Sequence, residues 1–278
     1  MSRRDAVAAF RALHASGCFV LPNPWDVGTA LHLAHLGFRA LATTSAGFAF
    51  SRGLPDDPSA LSCKDVLVHV REIADATPLP VNADFQSGYA DDAEGVGTNV
   101  ARCVAAGCAG LSIEDASGDA AAPLFPLPLA LERLRAARSA IDAAGIPVVL
   151  TARCEAWLVG DPDPLRTARE RLAAFAADGA DCLYAPGVRR PEEIEALVRE
   201  VAPKPLNVLV HAGNAELTMA QLTDLGVRRI SVGSSLARVA WGAFLRSARE
   251  IAATGSFESF LEAARSPDPD GLFRPGNA

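Results

Sequence analysis

The chain is predicted to be a mixed α/β protein folded as a closed (β/α)₈ barrel of the TIM type, and three observations lead there. Short apolar runs alternate eight times with segments of helical length. The joints leading from helix into strand share a chemistry: glycine follows the helical segment at Gly37, Gly107, Gly145, Gly179 and Gly226, and proline precedes the strand at Pro78, Pro80, Pro203 and Pro205. Glycine takes the left-handed conformation that ends a helix, and proline cannot continue one. Finally, polar residues gather where the apolar runs end, the edge at which barrels carry chemistry. An open doubly wound sheet is the alternative architecture.

In chain order, the polar start leads into an amphipathic helix over 3–16, ahead of the first barrel strand. Strands are expected near 18–22, 40–44, 80–84, 110–114, 148–153, 182–185, 206–209 and 229–232. Each is a short, mainly apolar run, as parallel strands covered on both faces require. Helices are expected near 25–36, 63–76, 93–106, 128–144, 165–178, 191–201, 218–225 and 234–253. A further helix is expected over 256–265, and the stretch 266–278, rich in proline, aspartate and glycine, is expected to be an irregular tail. No linker interrupts the alternation, so 1–278 reads as one domain, and 278 residues of which 50% are hydrophobic can bury a large core.

The net charge of -7, with both signs interspersed, gives no electrostatic footprint for nucleic acid or for an anionic membrane surface. Six scattered cysteines without a Cys-x-x-Cys pair argue against a zinc ribbon or a disulfide framework. They read as small buried hydrophobes in a reducing compartment. With no apolar signal core and no run long enough to span a membrane, the expected location is the cytoplasm.

Side chains alternate along a strand, so parity separates the barrel interior from the helix-facing side. Asn82 and Asp84 share one parity, as do Ser112 and Glu114, Thr151, Arg153 and Glu155, and Asn207 with Leu209. This polar parity is the inward one and grows more charged toward each carboxyl end. One strand-terminal acid alone reads as a helix cap or a surface charge. Convergence is what changes the reading: Asp84, Glu114, Arg153, Asn207 and the run Thr44-Ser45-Ala46-Gly47 fall on one rim. Two neighbouring buried carboxylates need a cation, and oxygen donors without His or Cys suit Mg²⁺ or Mn²⁺. Arg153 can hold a ligand carboxylate and the amides of Ser45 to Gly47 can cradle another. Such a site suits a small dicarboxylate with a neighbouring oxo group and a reaction that makes an enolate.

These residues resemble the isocitrate lyase/phosphoenolpyruvate mutase superfamily. Asn23-Pro24-Trp25-Asp26 is similar to its opening motif, Thr43 to Gly47 with Gly53-Leu54-Pro55-Asp56 to its substrate loop, and Asp84 to Tyr89 to its metal-binding run. Ile113-Glu114-Asp115 and Thr151 to Ala156 resemble its fourth and fifth strand motifs, and Asn207 with Leu225 to Gly233 its last two units. The likeness runs from Leu21 to Phe244 with the motifs in order. It implies a Mg²⁺-dependent barrel in which Asp84 and Glu114 hold the metal, Thr44, Ser45, Ala46 and Gly47 bind the substrate carboxylate and oxo group, Arg153 clamps it, Asn207 contacts its far end and Asp56 lies by the metal waters. It also implies a homodimer or homotetramer in which the last helical region, 234–265, is exchanged between subunits.

Two departures narrow the expected activity. Gln86 stands where the family commonly carries a second acid, and the loop from Ala116 to Pro123 has none of the cysteine, lysine or histidine of the lyase branch, nor the asparagine of the mutase branch. The expected function is Mg²⁺-dependent cleavage of a C–C or C–P bond in a small 2-oxo acid, with oxaloacetate decarboxylation first. A C–C lyase of the 2-methylisocitrate or dimethylmalate type with a different acid, and a barrel that binds 2-oxo acids without turnover, are the alternatives. Cys154, of opposite parity to Arg153, reads as packing, and His211 as a loop residue.

Overall fold

A computed structural model describes residues 2–264 together with Gly271 and Phe273. The chain begins with helix α1 (Arg3–Ala15), followed by β1 (Phe19–Leu21), α2 (Val27–His35), β2 (Leu41–Ala42), α3 (Ser45–Ser51), α4 (Cys63–Ala76), β3 (Val81–Asp84) and α5 (Ala93–Ala106). It continues through β4 (Gly110–Glu114), α6 (Leu127–Ala143), β5 (Val149–Arg153), α7 (Pro164–Ala177), β6 (Cys182–Tyr184), α8 (Pro191–Val201), β7 (Leu206–Leu209), α9 (Met219–Asp224), β8 (Arg229–Ser231) and α10 (Ser235–Thr254). The predicted alternation is present. Neighbouring strands pair in parallel from β2 through β8, and β8 pairs with β1.

The seam between β1 and β2 closes the barrel by other means. Ala42 donates its amide to the Pro22 carbonyl at 3.0 Å. Asn23 Nδ2 donates to the Thr43 carbonyl at 2.9 Å, while its Oδ1 accepts from the amides of Val232 and Gly233 at 3.0 and 2.9 Å. One buried asparagine side chain thus ties together the carboxyl ends of β1, β2 and β8. Such buried amides are retained because the backbone groups they satisfy have no water to turn to.

α1 is more than an addition. A Ser2–Asp5 capping box starts it, and its buried Val7 and Phe10 enter the main core under the strands. Phe10 lies so close beneath β4 that a Cβ on Gly110 would come within 2.5 Å of its ring, which is why a glycine opens that strand. α1 therefore plugs the amino-terminal end of the barrel.

Two expectations need correction. The run at Ser45 is not a loop but the start of α3, capped by Thr44 Oγ1 accepting from the Gly47 amide at 3.2 Å. A Cβ on Gly47 would sit 2.6 Å from Thr44 Cγ2, so the glycine is there for close packing. The helix expected over 256–265 is a single 3₁₀ segment, Glu258–Glu262. Most of the expected tail, 266–278, lies outside the described residues. No helix among the described residues is long and apolar enough to cross a membrane.

Candidate active site

At the carboxyl ends of the strands a cavity of about 480 Å³ opens into the barrel, and the inward side chains named from parity line it, except Thr151, which is fully buried. Asp84, at the end of β3, is fixed from several sides. Its amide donates to Thr43 Oγ1 at 2.9 Å, and its Oδ2 accepts from both the amide and the hydroxyl of Ser45, each at 2.9 Å. The Ser45 and Gly47 amides thus already have partners within the protein, and this run serves first to hold Asp84. Asp84 Oδ1 faces Arg153 Nη1 at 3.3 Å, and Glu114 Oε2 lies 3.2 Å from the same nitrogen. Strand register brings this about, since Glu114 and Arg153 are partners across β4 and β5.

The remaining edge of the guanidinium belongs to Glu155. Nη2 donates to Oε2 at 3.0 Å and Nε to Oε1, a bidentate pair. Glu155 is itself positioned by its amide, which donates to Asp115 Oδ1 at 2.8 Å. Asp115 in turn pairs with Arg171 of α7 at 3.1 Å. Tyr184, the register partner of Arg153 on β6, places its ring under the guanidinium at 5.3 Å. The structure therefore brings together Thr44, Ser45, Ala46, Asp56, Asp84, Glu114, Arg153 and Asn207 around one cavity. Gly47 supports the wall from behind.

Three carboxylates around one cation leave an excess of negative charge, and the titration of Glu114 and Glu155 reflects it. Burial pushes Glu114 up to about 8, with Arg153 pulling the other way and Glu155 and Asp84 adding to the rise. Burial also raises Glu155, against the pull of Arg153. Asp56 is raised by burial and then by Asp84. Burial lifts the Tyr184 phenol to about 12, so it keeps its proton throughout the physiological range.

Whether these residues fit a divalent ion is decided by the chemistry of the donors. Among the described residues no group of three or more His, Cys, Asp or Glu side chains forms a ready-made metal cage. Mg²⁺ does not ask for one: it keeps most of its waters and takes one or two carboxylates. Asp84 and Glu114, oxygen donors facing the cavity with unneutralised charge around them, fit an ion held partly through water. Gln86, in a turn at φ 44°, reaches the same wall as a neutral amide.

Three contributors were not assigned from sequence. Glu155 had the right parity, but its bidentate pairing is made past the end of β5, where Asp115 holds its amide. Tyr184 and Arg229 line the cavity through a register row, Arg153 to Tyr184 to Asn207 to Arg229, that no local pattern shows.

Fold and site together define a (β/α)₈ barrel with an acidic, arginine-centred pocket at the carboxyl ends of its strands. The chain belongs to the phosphoenolpyruvate phosphomutase family, whose model matches residues 10–252. It is 34% identical over 230 residues to an uncharacterized protein of Mycobacterium tuberculosis, covering 81% of this chain and 82% of that one. It is 32% identical over 271 residues to an oxaloacetate decarboxylase of Chromohalobacter salexigens, covering 91% and 88%. Among solved structures, a Burkholderia cenocepacia protein provisionally described as a lyase/mutase superposes with a TM-score of 0.95 at 43% identity, over 99% of this chain and 98% of that one. Named relatives thus include enzymes that break C–C bonds.

Proposed function

We propose that this protein is a divalent-metal-dependent lyase of small 2-oxo dicarboxylic acids, with oxaloacetate decarboxylation as its reaction and Mg²⁺ or Mn²⁺ as the ion. The observation that carries the reading is the convergence of Asp84 and Glu114 on Arg153 at the mouth of a polar cavity. The likeness to a named oxaloacetate decarboxylase along nine-tenths of the chain supports it.

A divalent ion held by Asp84 and Glu114 would supply Lewis-acid withdrawal of charge from the 2-oxo oxygen. The protein's residues do the rest. Arg153, held flat by Glu155 and by the Tyr184 ring, presents its charge to a substrate carboxylate. Ser45 keeps Asp84 from turning away, and Thr44 and Ala46 complete the wall. Asn207 faces the substrate's far end, and Asp56, its carboxyl raised by burial and by Asp84, sits at the mouth. The C–C bond to the departing carboxylate breaks, its electron pair forms an enolate, and CO₂ leaves. Tyr184 Oη, neutral and on the cavity wall, donates its proton to the enolate carbon to give pyruvate, and the phenolate regains a proton from water.

The loop after β4 favours decarboxylation over aldol-type cleavage. It closes on itself through a bridge between Ala116 and Leu124 and a Ser117 hydroxyl donating to the Ala122 carbonyl at 2.5 Å, and it offers no cysteine, lysine or histidine as acid. The test is pyruvate release from oxaloacetate with Mg²⁺ and with a chelator. Metal-dependent release well above the uncatalysed rate is expected. Release equal to the protein-free control under both conditions would remove the reading.

A further inference from the structure

We propose that Arg229 forms a second anion-binding station at the floor of the cavity, so that the ligand of this barrel carries one carboxylate at the rim and another that reaches below it. The proposal rests on reading the cavity as a 2-oxo acid site and extends it to the length and charge of the substrate. Arg229 is 2% exposed and lines the cavity one inward position below Ser231. Among the described residues no carboxylate lies within ion-pair distance of it. Its Nε donates to Asn207 Oδ1 at 2.9 Å, and its Nη1 meets His14 Nε2 at 3.3 Å.

His14 does not supply the missing charge. Its Nδ1 lies 2.7 Å from the Phe10 carbonyl and so carries the proton, leaving Nε2 as acceptor. Asp181, beside the first residue of β6, is taken by Arg11 and Arg138 at 3.2 and 3.0 Å. The other buried arginines are treated differently. Arg133 directs its fork at the carbonyls of Ser87, Ala90 and Asp91 and its face at Phe125, Arg171 pairs with Asp115, and Arg153 has three acids. Of the two with neutral partners, Arg133 spends its fork on backbone carbonyls away from the barrel mouth, and only Arg229 lines the cavity at the strand ends.

The inward positions of the neighbouring strands are polar as well. Asn82, Ser112, Thr151, Asn207 and Arg229 occupy inward positions where barrels of this type usually pack branched apolar side chains. Asn82 Oδ1 has no hydrogen-bond partner within the protein, so the floor is not satisfied by its own side chains. A buried guanidinium without a counter-charge is costly, and a bidentate carboxylate is the partner its geometry suits.

The experiment is calorimetric titration of the metal-free protein with succinate, a dianion, and with pyruvate, a monoanion. It compares the wild type with Arg229→Met and with Asn207→Asp, which neutralises the floor without removing the arginine. The wild type is expected to prefer succinate by about tenfold, and each variant to lose most of that preference while holding pyruvate within about twofold. Asn207→Asp is also expected to raise the unfolding temperature, and it keeps the test open if Arg229→Met does not fold. No preference in the wild type, a preference unchanged in the folded variants, or an equal loss for both ligands would overturn the proposal. If oxaloacetate is not turned over while succinate binding still depends on Arg229, the decarboxylase reading falls and the floor station stands.

Discussion

Arg153 sits among Asp84, Glu114 and Glu155 with Tyr184 beneath it: strand register brings Glu114 and Tyr184, Ser45 holds Asp84, and Asp115 holds the amide of Glu155 just past the strand's end. These different routes explain what could be read from the chain. Asp84, Glu114 and Arg153 were visible because alternation along a single strand places them inward. Tyr184 was not, because its position beside Arg153 depends on a pairing between β5 and β6 that no local pattern encodes. Its role gives a prediction at this scale. Tyr184→Phe keeps the ring against Arg153 and removes only the phenol, so it should lower kcat for pyruvate release by about 10² to 10⁴ and leave KM nearly unchanged. Unchanged kcat in a steady-state assay would assign the proton to another donor.

Single elements were most legible where their ends carry capping chemistry. α4 and α5 fall where expected because Ser62 and Asp92 open them and glycine or proline closes the turn that follows. α3 was hidden because Thr-Ser-Ala-Gly has loop composition, and its helix exists only because Thr44 caps it and Phe48 and Ala49 are buried in the core. α10 differs from the other barrel helices in that much of its apolar surface faces outward. Val239 is 69% exposed and Phe244 59%, with Trp241 beside Phe244 in an edge-on ring pair. We propose that a second copy of the chain covers this face, with the helix exchanged between subunits. Light scattering is expected to give a dimer or tetramer, and Trp241→Glu with Phe244→Glu a smaller species. A monomeric wild type would contradict this.

For the molecule as a whole, the barrel's stability and the charge of its site are linked. Glu114 is pushed from an ordinary carboxylate value up to about 8 in the fold, and Glu155 and Asp115 shift in the same direction, all chiefly through burial. Through these acids the folded state holds more protons than the unfolded chain between about pH 4.5 and pH 8, while buried His14 and His69, lowered to about 3 and about 4, act in the opposite sense below about pH 6.5. The sign follows: without metal, the contribution of the acids is full below the lower limit and is lost as pH rises toward 8. Urea unfolding with a chelator should show a lower midpoint at pH 8 than at pH 7, above the range where the histidines act, and Mg²⁺ should raise the midpoint more at pH 8. A higher midpoint at pH 8 without metal would contradict the burial of these acids.

Manganese binding followed by electron paramagnetic resonance, in the wild type and in Asp84→Asn, bears most directly on the site. The carboxylate pair is expected to take up about one Mn²⁺ per chain in the wild type, with affinity falling at least about tenfold when Asp84 loses its charge. Equal uptake by the two proteins, or none by either, would contradict it.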